Sequence, residues 1–80
     1  MNILFVCTGN ICRSPTGERL AAAYAAEHEI PEVAVSSAGT RAVIGHPIHR
    51  DAAGVLEKLG GDASHFAARQ FKSKIASAAD

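Results

Sequence analysis

The chain has 80 residues, 48% of them hydrophobic and 20% charged, with eight basic residues against eight acidic ones. Those values fit one small globular domain and exclude a disordered tail, a multidomain protein and any general electrostatic pull toward nucleic acid or an anionic membrane. Two cysteines are too few for a secreted disulfide scaffold, no apolar stretch reaches membrane-spanning length, and the chain opens on a strand rather than a basic leader, so a reducing cytoplasm is the expected compartment.

The first predicted element is a strand over Asn2 to Val6, a continuous run of apolar, mostly branched residues suited to burial on both faces. At the other side of a short loop stands Ser14-Pro15, a helix-start signal: serine offers a capping oxygen, and proline suits the first turn. Between them lies Cys7-Thr8-Gly9-Asn10-Ile11-Cys12-Arg13, with a thiol and a guanidinium six positions apart. A loop entering a helix turns backbone N–H groups toward one point, and the helix dipole adds positive potential there. Such a cradle holds an anion and favours a thiolate over a thiol. Arg13 adds a planar fork matched to two oxygens of a phosphoryl group. Together these features read as a nucleophile poised against a bound oxyanion, the arrangement for covalent catalysis at phosphorus. An isolated Cys-x5-Arg reads as well as a buried thiol and a solvated arginine. Here the spacing coincides with the apolar strand, the Gly9-Asn10 turn and the Ser-Pro helix start, and the catalytic reading is favoured.

Further along, a helix is predicted from Pro15 to about His28, with Leu20, Ala23, Tyr24 and Glu27 on one face. The alanines Ala21, Ala22, Ala25 and Ala26 suit close approach to a sheet, and Pro31 marks the exit. A second strand covers Val33 to Ser37, completing a right-handed βαβ unit. A second helix starts near Pro47 or Ile48, buries Ile48, Ala52, Val55, Leu56 and Leu59, and stops at Gly60-Gly61. Ala67 to Phe71 is expected as a short extended piece, and Lys72 to Ala79 as a short helix burying Ile75. His28, His46, His49 and His65 are read as local residues of loops and helix ends, with His46 alone near the loop by topology. No metal or other cofactor is called for, because Arg13 and the backbone supply the positive charge.

The stretch from Val6 to Pro15 closely resembles the phosphate-binding loop of the low-molecular-weight protein tyrosine phosphatases. The likeness continues in register through Ser36-Ser37-Ala38-Gly39-Thr40, Gly45-His46-Pro47, Leu59-Gly60 and His65 to Gln70. It implies an α/β fold, a flavodoxin-like parallel sheet with flanking helices. Family members are considerably longer, so residues 1–80 are expected as one incomplete domain, an N-terminal half truncated after the first two strands. Cys7 would attack phosphorus, Arg13 would clamp the phosphoryl oxygens, and the N–H groups of Thr8, Gly9, Asn10, Ile11, Cys12 and Arg13 would bind the rest. Gly9 would allow close backbone approach, and Asn10 a left-handed turn. Ser14 has two compatible roles, helix cap and, as the resemblance implies, hydroxyl donor to the Cys7 sulfur. The resemblance also implies that Asn10 and Ser37 join a hydrogen-bond web that stiffens the loop. Cys12 stays open between a small buried hydrophobe and, as in the family, a reversible disulfide partner of Cys7.

The expected substrate is a phosphotyrosine protein or a small aryl phosphate, with inorganic phosphate or sulfate also held by the loop. The segment Arg41 to His46 should rim the pocket. It carries only Val43 and Ile44 where the family often has an aromatic residue, and it is one residue shorter, which bears on substrate preference. Arsenate reductases and protein arginine phosphatases share the loop; the latter carry threonine at the position of Ile11, which inclines the reading toward phosphotyrosine. A non-catalytic oxyanion-binding fragment is the remaining alternative. The family's general acid is an aspartate in an Asp-Pro loop near the C-terminus, and Asp51, Asp62 and Asp80 do not match it. With the family's third strand expected after Asp80, the edge of strand one should stand open and favour self-association.

Overall fold

The computed structural model describes residues 1–80 and contains five elements: β1 (Asn2–Cys7), α1 (Arg13–Glu27), β2 (Ala34–Gly39), α2 (Arg50–Lys58) and α3 (Ser73–Ala78). β1 and β2 pair in parallel, in a register running from Asn2↔Ala34 to Cys7↔Gly39. A parallel pair needs a crossover, and α1 supplies it, giving the expected βαβ unit. Both strands end at the same sheet edge, so the loop after Cys7 and the chain leaving Gly39 emerge side by side, where α/β sheets bind ligands.

α1 approaches the sheet closely at Gly17. A Cβ at Gly17 would lie 2.8 Å from the Phe5 ring, so only glycine lets the helix settle on that side chain. α2 is capped by His49, whose N–H donates to the Ile11 carbonyl at 2.6 Å and whose ring Nδ1 accepts from the Asp51 N–H at 3.3 Å. The start of α2 is therefore tied directly to the loop. Its expected apolar stripe is only partly covered: Ile48 and Leu56 are buried, whereas Val55 and Leu59 are 56% and 63% exposed. α2 packs on α1 and not across the two-stranded sheet, so a single flank of the helix finds a neighbour.

The segment at Ala67–Phe71 forms no strand. It meets β2 at one point, where the Gly39 N–H donates to the Arg69 carbonyl (2.9 Å) and the Phe71 N–H to the Gly39 carbonyl (2.7 Å). α3 leaves Ile75 half-buried. The chain end then returns to β1: the Asp80 N–H donates to the Asn2 carbonyl (2.9 Å) and the Asn2 N–H to the Asp80 carboxylate (2.6 Å). The outer edge of β1 is thus occupied at Asn2 and has no strand partner beyond it, from Ile3 to Val6. Buried hydrophobic residues are few, namely Ala38, Ile48, Leu56 and Ala68. The accessible surface of 5313 Å² exceeds the roughly 4,600 Å² expected of a folded monomer of 8.3 kDa. No helix is long and apolar enough to cross a membrane.

Candidate active site

The loop between β1 and α1 is built around Asn10, which is fully buried and left-handed at φ 59. Asparagine tolerates that conformation better than most residues, and its side chain is then aimed inward. Its Oδ1 accepts from the Arg69 N–H at 2.8 Å, while Nδ2 donates to Ser14 Oγ at 2.8 Å and to Ser37 Oγ at 3.0 Å. Every polar atom of the amide is used. Asn10 therefore ties the loop to α1, to β2 through Ser37, and to the segment before α3.

Cys7 ends β1, half-buried, with its sulfur 2.9 Å from Ser14 Oγ and 3.3 Å from the Asn10 N–H. Burial pushes the thiol up, but the Ser14 hydroxyl, the Ser14 and Asn10 N–H groups and the Arg13 charge outweigh it and hold Cys7 below the usual thiol range. Ser14 does not cap α1. The cap is Cys12, which makes no side-chain capping bond, and the Ser14 hydroxyl is committed to Cys7 and Asn10 instead. Pro15 then falls within the first turn, where a missing N–H costs no intrahelical bond. Cys12 is exposed, so the buried-hydrophobe reading of it fails.

Two glycines divide the roles expected of Gly9. A Cβ on Gly9 would meet only Ile11 and Val43 side-chain atoms at 3.5 and 3.8 Å, so the folded chain itself does not demand glycine there. Gly39 is the residue that does. A Cβ there would run into the Thr8 carbonyl and lie 3.0 Å from the Asn10 N. The exit from β2 is laced to the loop by the Thr40, Arg41 and Val43 N–H groups, which donate to the carbonyls of Cys7, Thr8 and Gly9 at 2.9, 2.9 and 3.0 Å. The Arg41–His46 segment is therefore tied to the loop, but it does not rim the pocket as expected: from this side only Thr40 lines the cleft. By contrast, the N–H groups of Thr8, Gly9, Ile11, Cys12 and Arg13 have no acceptor within the chain.

An open cleft of about 370 Å³ lies over this loop, lined by Val6, Cys7, Thr8, Arg13 and Thr40. The Arg13 side chain is exposed and makes no ion pair or hydrogen bond. A larger groove of about 460 Å³ lies between the sheet and α3, among Asn2, Val35, Ser36 and Ile75, but neither cysteine lines it. No three His, Cys, Asp or Glu side chains gather as a metal site. Asp51, Asp62 and His46 lie outside the cleft, and Asp80 sits at the opposite end of β1.

Residues that the sequence did not single out complete the web. Glu18 Oε1 accepts from Ser37 Oγ at 2.7 Å, and Arg69 Nε donates to the Ser37 carbonyl at 2.7 Å. The Gln70 side chain accepts from the Ala42 N–H at 3.0 Å and donates to the Thr40 carbonyl at 2.8 Å, fixing the rim.

This geometry has counterparts. The family model described as low molecular weight phosphotyrosine protein phosphatase matches residues 2–80. The chain belongs to that family. It is 41% identical over 75 residues to the low molecular weight protein-tyrosine-phosphatase Etp of Escherichia coli K12, covering 94% of this chain and 47% of Etp. The crystal structure of the tyrosine phosphatase Wzb from Escherichia coli K30, in complex with sulphate, superposes with a TM-score of 0.83 at 38% identity, over 99% of this chain and 52% of that one. The arginine phosphatase YwlE, in a variant with a phosphorylated active-site serine in place of cysteine, superposes at 0.89 with 34% identity, over 100% and 51% of the two chains. The chain thus spans about half the length of the relatives it matches. Its parallel α/β arrangement is the family's fold.

Proposed function

We propose that residues 1–80 are the nucleophile-bearing half of a single phosphatase domain, which hydrolyses phosphotyrosine in proteins and small aryl phosphates through Cys7. The observation that carries the reading is the Cys7 sulfur, held by Ser14 Oγ at 2.9 Å and the Asn10 N–H at 3.3 Å, in a cleft shared with an unpaired Arg13 and ringed by uncommitted N–H groups. The Cys7 thiolate attacks phosphorus in line; the S–P bond forms as the P–O bond to the aryl group breaks, and the leaving oxygen takes its proton from water. Water then attacks phosphorus, the S–P bond breaks, and inorganic phosphate departs. Ser14 donates to the sulfur as it leaves. Arg13 and the loop N–H groups hold the equatorial oxygens, and phosphate or sulfate occupies the same cradle at rest.

Under oxidation the exposed Cys12 forms a disulfide with Cys7, a peroxide taking up the two electrons, which spares the nucleophile from irreversible oxidation. This chemistry belongs in a reducing cytoplasm. The open part of the β1 edge, with Val6 45% exposed, takes a second copy of the chain.

None of the three aspartates lines the cleft, so these residues provide no proton for the leaving oxygen. The chain should hydrolyse p-nitrophenyl phosphate slowly and lose that activity in Cys7→Ser. Phosphotyrosine, whose leaving group needs a proton, should lag by on the order of 10²–10⁴. Equal rates on both substrates would reveal an acid within the chain. Preference for phosphoarginine would shift the reading to an arginine phosphatase, and absence of any Cys7-dependent turnover would leave an oxyanion-binding module.

A further inference from the structure

The web behind Cys7 does not end at Ser37. A carboxylate can only accept hydrogen bonds, so the Ser37 hydroxyl spends its single proton on Glu18 Oε1, 2.7 Å away. Ser37 Oγ is then free to accept from Asn10 Nδ2 at 3.0 Å. The Arg69 N–H on Asn10 Oδ1 fixes the amide the same way round, so the second Nδ2 proton goes to Ser14 Oγ at 2.8 Å. Ser14, with that acceptor position filled, directs its own proton to the Cys7 sulfur at 2.9 Å. Each proton from Glu18 to Cys7 therefore has one assigned direction. Without an acceptor at position 18, the Ser37 hydroxyl would turn its proton elsewhere and compete with Asn10 Nδ2, leaving a buried donor short of a partner.

We propose that Glu18 is a positioning residue for Cys7, setting the polarity of the Ser37–Asn10–Ser14 chain that presents a hydroxyl proton to the sulfur. This rests on the reading of Cys7 as a thiolate nucleophile. Glu18 does not line the cleft. Its other oxygen pairs with Arg19 Nε at 2.8 Å, and Arg19 is held in turn by the Asp62 and Ser64 carbonyls at 3.1 and 2.9 Å and over the Phe66 ring. The charges around the chain are therefore Glu18 and Arg19 on α1, Arg69 at the Ser37 carbonyl, and Arg13 at the cleft.

Charge and positioning predict opposite signs. Removing a nearby negative charge by itself lowers the Cys7 pKa, whereas loosening Ser14 raises it. The experiment is iodoacetamide alkylation of Cys7 against pH in wild type, Glu18→Ala, Glu18→Met and Glu18→Gln. Met keeps the volume without an acceptor and carries the comparison if Ala does not fold. Gln keeps one carbonyl for Ser37, while Arg19 keeps its bonds to the Asp62 and Ser64 carbonyls. Ala and Met should titrate higher than wild type by about half a unit, roughly a threefold loss of thiolate below the midpoint, and Gln should stay with or below wild type. Ala and Met titrating with or below wild type, or Gln rising with them, overturns the proposal. A wild type that titrates as a free thiol overturns the nucleophile reading instead.

Discussion

Arg13 and Asn10 show how differently two residues of one loop can act. Asn10 is fully buried with every polar atom engaged, and its work is to hold the loop's shape. Arg13 is exposed and unpaired beside Cys7, and its guanidinium is available to an incoming oxyanion. Arg13→Lys keeps the charge but loses the planar fork. Calorimetry with inorganic phosphate should therefore read a loss of about 1.5–3 kcal/mol, or roughly 10- to 150-fold in affinity; equal affinity in the two proteins would remove Arg13 from the cradle. Cys7 carries a linkage of definite sign. Its folded pKa is depressed, so the stability it contributes is fully present above the unfolded thiol's pKa and is lost as pH falls through the folded one.

At the scale of elements, the parts with strong periodicity or punctuation were legible in the sequence. β1, α1, β2, α2 and α3 each lie where expected, with shifts at their ends. The largest functional shift is the start of α1, placed at Arg13 because Ser14 is drawn inward by Cys7 and Asn10. A Ser-Pro pair reads locally as a cap, and only the tertiary structure provides the competing partners. The same limit hid Glu18 and Arg69: on a helix face and in a loop they resemble solvated charges, and their use depends on β2 passing between them. Gly39 belongs to the stretch that carries the family resemblance, but its close contact with the loop appears only when the two strand ends are side by side. The apolar stripe of α2 was read from spacing alone, and spacing cannot say how many neighbours a helix meets.

The whole molecule is compact, with a radius of gyration of 12.0 Å, yet it buries little. Its surface exceeds the expectation for its mass by roughly 700 Å², and Met1, Ile44 and Leu59 are each more than 60% exposed. Two strands and a few small buried side chains make a marginal core, and Asp80 covers the β1 edge only at Asn2. We expect self-association, most simply a two-fold dimer joined through β1 in antiparallel fashion. Sedimentation velocity across a dilution series should show a dimer dissociating on dilution. A well-folded monomer at every concentration would mean that the open edge and exposed apolar residues are tolerated.

The central claim is that this loop turns Cys7 into a thiolate nucleophile, and the most direct measurement of it is the rate of iodoacetamide alkylation against pH, with intact mass to assign the label to Cys7 rather than exposed Cys12. The Cys7 rate should rise through a midpoint clearly below about 8.5, the free-thiol value. A rate that climbs only through the free-thiol range would contradict the account.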